Sequence, residues 1–93
     1  MPTYVMLTNL TAEGVKTLKA NPQRVSEVNR EVEALGAKVV AQYTTLGQYD
    51  FVTVIEAPSE EEMAKVSVEM GSRGTMTSQT LTALSAERLA EIL

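Results

Sequence analysis

Three long segments of this chain, residues 1–12, 39–49 and 74–86, contain no charged side chain, although charged residues make up 22% of the sequence. All three segments are rich in Thr, and the first two also carry Val and Tyr, residues that favour strands. An antiparallel sheet with one wet face normally alternates apolar and polar residues, with Lys and Glu on the solvent side. Here Tyr4, Met6 and Thr8 alternate with Val5 and Leu7, and Phe51, Thr53 and Ile55 alternate with Val52 and Val54. Charge enters the third strand only at its ends, at Asp50 and Glu56. Both faces of such a sheet are at least half apolar, so both must be covered.

The order of elements follows from local signals. Residues 3–10 read as a first strand, with Pro2 just outside it. Thr11 caps a short helical turn through Lys19, which Gly14 weakens. Asn21-Pro22 then opens a helix, with Asn as cap and Pro at its first position; Val25, Val28, Val32 and Leu35 form its apolar face, and Gly36 ends it. Lys38–Thr45 and Asp50–Glu56 flank a turn at Leu46-Gly47-Gln48-Tyr49 and read as a hairpin. Ser59 and Glu62 form a capping box ahead of a helix carrying Met63, Val66 and Met70, which Gly71 closes. Residues 75–84 supply a fourth strand, and Ser85 opens a short amphipathic tail with Leu89, Ile92 and Leu93. The result is α+β: a ferredoxin-like β-α-β-β-α-β chain, one domain over residues 1–93, with an antiparallel sheet and a short C-terminal helix.

In this plan the helices cover one sheet face, and a second copy across a two-fold axis is the simplest cover for the other. The expected interface set is Tyr4, Met6, Thr8, Phe51, Thr53 and Ile55. The alternative cover is long helices or the C-terminal tail wrapping over the sheet.

Composition removes many functions. There is no Cys and no His, so disulfides, thiolate nucleophiles, Cys-ligated metals and a His proximal haem ligand are excluded within the chain. The net charge of −4 argues against nucleic acid, and Asp50–Glu56 lacks the basic-aromatic pattern that stacks bases. No metal or nucleotide cofactor is expected. MPTYVMLTNLTAEG has no basic n-region or cleavage site, and no apolar run approaches a membrane span, so the expected compartment is the cytoplasm, without membrane association.

Three blocks carry a family resemblance: YVMLTNLTAEGVK followed by Pro22-Gln23-Arg24, then LGQYDFVTVIEAP, then GSRGTMTSQTLTALS. In order and at this spacing they resemble the GYD-domain family, named for a Gly–Tyr–Asp signature at the turn into the third strand. Gln48 separates Gly47 from Tyr49, so the pattern here is G-x-Y-D. The resemblance implies a ferredoxin-like fold of the dimeric α/β-barrel type, in which two sheets face each other. It implies no particular chemistry.

The candidate ligand residues are Asp50, Tyr49, Tyr43, Asn9 and Arg73. Asp50 is the only aspartate, beside eleven glutamates, and Tyr43, Tyr49 and Phe51 fall within nine positions. Asp50 either accepts a hydrogen bond or proton from a ligand, or closes its turn through local backbone bonds. Alternation places Tyr49 and Phe51 on one face and Asp50 on the other. Asn9 either orients a ligand group or satisfies the backbone entering the first helix. Arg73, within Gly71-Ser72-Arg73-Gly74, binds a carboxylate at the barrel mouth or pairs with a Glu across an interface; the loop follows a helix C-terminus and lacks a P-loop Lys, so a Gly cap with a tight turn explains it better than phosphate binding.

Three functions compete. A barrel lined by Thr, Met, Ser and Tyr suits a small neutral or weakly polar ligand, as in a binding or sensing module. A cofactor-independent oxygenase or isomerase would need a carboxylate, Tyr or Lys inside the barrel. A purely structural oligomerisation module would pack the barrel solid.

Overall fold

The computed structural model describes residues 1–93. The elements run β1 (Thr3–Leu10), α1 (Ala12–Ala20), α2 (Arg24–Ala34), β2 (Lys38–Thr44), β3 (Phe51–Glu56), α3 (Glu60–Gly71), β4 (Met76–Ala83) and α4 (Ala86–Ile92). The four strands form one open antiparallel sheet in the order β2-β3-β1-β4, the ferredoxin-like arrangement. On one face, α1 lies over β1, α2 over β2 and α3 over β4.

The caps follow the residue chemistry. Thr11 accepts from the Gly14 amide at 3.1 Å, Ser59 from the Glu62 amide at 3.2 Å and Ser85 from the Arg88 amide at 3.0 Å. In α3, Met63, Val66 and Met70 recur at helical spacing and are all buried, each stabilising the fold by roughly 1.5–3 kcal/mol. Gly36 sits at φ +98° and Gly47 at φ +137°, the left-handed region their turns require. Gly14, at a cost in helix propensity, permits the approach of α1 to the Thr75 backbone, where a Cβ would meet the carbonyl oxygen at 2.0 Å. One reading of the chain between β1 and β2 needs correction. Asn21 ends α1 instead of capping α2, which begins at Arg24 without a side-chain cap.

The largest correction concerns which residues face which way. Tyr4, Met6, Thr8, Thr53 and Ile55 lie beneath the helices, each no more than 5% exposed, and Phe51 shares their face. The six residues expected at an oligomer interface therefore belong to the interior of a single subunit. The uncovered face carries the opposite parity, with Val5 and Leu7 on β1 and Val52 and Val54 on β3, all half-buried, and the exposed Leu81 on β4. A β-bulge at Val40 shifts β2 by one residue, so Val39 faces the helices while Ala41 and Tyr43 face outward. Helix α4 has no buried residue and does not cover this face.

Candidate functional site

The G-x-Y-D turn holds the ends of three strands together. Asp50 Oδ2 accepts from the Leu10 amide at 2.8 Å, the Asp50 amide donates to the Thr8 carbonyl at 2.8 Å, and its carbonyl accepts from Thr45 at 2.8 Å. The Asp50 carboxylate thus satisfies the backbone where β1 passes into α1, the task expected of Asn9, which instead lies on the open face opposite Thr77. Its bond spans forty positions of sequence and is not local to the turn. Asp50→Ala leaves the Leu10 amide without its partner and is expected to lower stability by about 1–3 kcal/mol in urea unfolding. Asp50→Asn keeps an acceptor oxygen and should lose less; equal stability of Asp50→Ala and the native protein would show that this bond contributes nothing.

Tyr49 precedes the strand proper, and its hydroxyl bonds Gln79 Oε1 at 3.0 Å. Gln79 pairs with Leu7, so Tyr49 reaches across the open face while Phe51 points under the helices. The expected sharing of one face by Tyr49 and Phe51 is corrected by the bend at Asp50. Tyr43 is 65% exposed on the same open face.

On the helix side, a cavity of about 130 Å³ lies between the sheet and α1 and α2. Leu18, Val25 and Val28 line it from the helices, and Phe51, Ile55 and Met76 from the strands. Its polar wall is a chain of bonds: Asn29 Nδ2 donates to Gln42 Oε1 at 2.8 Å, and Gln42 Nε2 to Thr53 Oγ1 at 3.1 Å. No Asp, Glu, Tyr or Lys lines the cavity, so none of the acid–base groups open to this chain stands there. At the rim, Arg73 bonds Glu31 and Glu69, and Arg24 bonds Glu31 and Glu27, within one subunit. The hydrogen bond from Arg73, with help from Arg24, holds the Glu31 carboxyl below its ordinary range.

A profile of the GYD domain matches residues 4–93. The chain belongs to the GYD-domain family. Over 85 residues it is 46% identical to a Thermus thermophilus protein named glutamine synthetase and cystathionine beta-lyase binding protein, covering 90% of each chain. Among solved structures, TTHA0845 from Thermus thermophilus superposes with a TM-score of 0.59 at 23% identity, over 92% of this chain and 96% of the other. The Mycobacterium tuberculosis leucine response regulatory protein LrpA gives a TM-score of 0.64 at 9% identity, over 91% of this chain and 51% of the other. Both show the shared fold.

In this GYD domain the five candidate ligand residues do not converge. Tyr43, Tyr49 and Asn9 lie on the open face, Asp50 is committed to the β1 backbone, and Arg73 stands at the cavity rim on the opposite side. Asn29, Gln42 and the cavity face of α2 carry no signal in the sequence that marks them as a site. Thr53 and Thr8 do stand out there, but as interface residues. No helix is long and apolar enough to cross a membrane, and no cluster of three or more carboxylates is arranged to hold a metal ion.

Proposed function

We propose that this GYD-domain protein is a self-associating binding module that docks onto metabolic enzymes, of the kind for which its Thermus relative is named. The observation that carries the reading is the uncovered, uncharged centre of the sheet: Val5, Leu7, Val52, Val54 and Leu81 form one continuous apolar surface. Its polar members are already partnered or peripheral. Tyr49 and Gln79 bond each other, and Lys38 and Glu56 stand opposite one another at the strand ends. Burying this face therefore strands few polar groups.

A second copy is its natural partner. Two such sheets stack about 10 Å apart and interdigitate, as in an α/β barrel formed by two subunits. Four strands spaced about 4.8 Å and some 20 Å long outline roughly 400 Å², short of the ~800 Å² per partner of a standard interface. Helix α4, with Leu89, Ile92 and Leu93 exposed, is the element available to add the remainder. The surface left outside the barrel then meets the enzyme.

Sedimentation at micromolar concentration, combined with interferometry against glutamine synthetase and cystathionine beta-lyase, tests both parts. The expected outcome is a species of at least twice the 10.1 kDa chain mass and saturable binding to one of the enzymes. A monomer that binds neither would overturn the reading.

A further inference from the structure

The cavity beneath α1 and α2 lies wholly within one subunit and on the opposite side of the sheet from the interface proposed above. Protein interiors hold few spaces larger than a water molecule. An apolar cavity of about 150 Å³ takes up benzene. The space here, about 130 Å³, is close to that size and has a predominantly apolar lining.

Its polar groups are placed with direction. Gln42 accepts from Asn29 and donates to Thr53, so Thr53 Oγ1 is used as an acceptor and its own proton is free for an acceptor within the cavity. Thr53 is only 5% exposed. Thr8, equally buried, lies diagonal to it on the adjacent strand and brings a second hydroxyl to the same floor. The two cations at the rim are already neutralised: Arg73 by Glu31 and Glu69, Arg24 by Glu27 and Glu31. A charged ligand would find no free counter-charge, while a neutral acceptor would find a buried hydroxyl donor.

We propose that this cavity is a binding site for a small neutral molecule, an apolar body of about benzene's size bearing one uncharged hydrogen-bond acceptor, with Thr53 as the donor. The occupant's carbonyl or ether oxygen meets Thr53, and its hydrocarbon part packs among Val25, Val28 and Phe51. Because α2 forms the roof, occupancy also braces that helix against β2.

Cyclohexanone and its oxygen-free isostere methylenecyclohexane are the probes, followed through amide and methyl chemical shifts of the native protein. Both are expected to shift cavity residues, with a dissociation constant for cyclohexanone at or below about 1 mM. Thr53→Val preserves shape and removes the hydroxyl; it should weaken cyclohexanone about tenfold and leave methylenecyclohexane unchanged. Val28→Phe fills the space from the partly exposed roof and should abolish both. Absence of shifts with either probe overturns the site, as do shifts that survive Val28→Phe or map to the open face. An equal loss of both probes in Thr53→Val overturns the assignment of the donor. None of these outcomes depends on whether the protein self-associates.

Discussion

Val54→Lys is expected to yield a folded monomer. Val54 sits on β3 opposite Val5, at the middle of the uncovered face and between the two central strands. In an isolated subunit the position is half-buried, and a lysine there runs its methylenes along the sheet and lifts its ammonium into water. In the proposed paired assembly the same ammonium would be enclosed between two apolar sheets. Leaving a buried charge unpaired costs about 2–5 kcal/mol, so self-association should weaken by at least about thirtyfold. Sedimentation across a concentration series reads the loss, and far-UV dichroism confirms the retained fold. Leu81→Lys, at a position 40% exposed, tests the same face where folding is least at risk. Thr53→Lys, one residue from Val54, should behave differently because it drives the charge into the cavity and the core, and it is expected to unfold the subunit. If Val54→Lys and Leu81→Lys both leave the assembly mass unchanged, the open face is not where copies meet.

That contrast between neighbouring residues also marks where the sequence was and was not legible. Element order, the Gly36 and Gly47 turns, the Ser59 cap and the ferredoxin-like plan follow from local chemistry, which the chain writes plainly. Strand parity does not, because both faces of β1 and β3 are apolar, and alternation then separates two sets without saying which one the helices cover. A signal was present in the strand-end charges. Asp50 and Glu56 share parity with Val52 and Val54, and a charge at a strand end belongs with the wetter face. The bulge at Val40 has no comparable signature, yet it decides that Gln42 joins the cavity wall and Tyr43 does not. The cavity itself depends on the distance between α2 and the sheet, a tertiary quantity. Asp50 stood out as the sole aspartate, but its bond to an amide forty positions earlier required the β1–β3 register. Its rarity was informative while its role was not.

Gly14→Ala sets two well-understood effects against each other, and the close approach should win. Within a helix, alanine is favoured over glycine by about 1 kcal/mol. Here, however, the added Cβ would fall 2.0 Å from the Thr75 carbonyl oxygen and 3.0 Å from its carbon. Both are backbone atoms, so no side-chain rotation relieves the overlap. The same carbonyl accepts the Thr11 amide at 3.0 Å, and the Thr11 hydroxyl donates to the Gly74 carbonyl at 2.9 Å while accepting from Gly14 itself. Moving α1 by the ångström or more needed to admit a methyl group strains all three bonds at the helix N-terminus. Overpacking of this kind costs typically 1–3 kcal/mol, and each hydrogen bond lost adds about 1 kcal/mol, so a net destabilisation of about 3 kcal/mol is expected. For a chain of this length that lowers the melting temperature by roughly 10–20 °C, readable by calorimetry. The sign of the change is what decides. A stabilised Gly14→Ala protein would mean that helix propensity dominates and that α1 stands farther from the β4 entry loop, which would also widen the end of the cavity where Gly14 and Thr75 meet. Destabilisation fixes α1 against that loop, and with it the distance between helix and sheet on which the cavity depends.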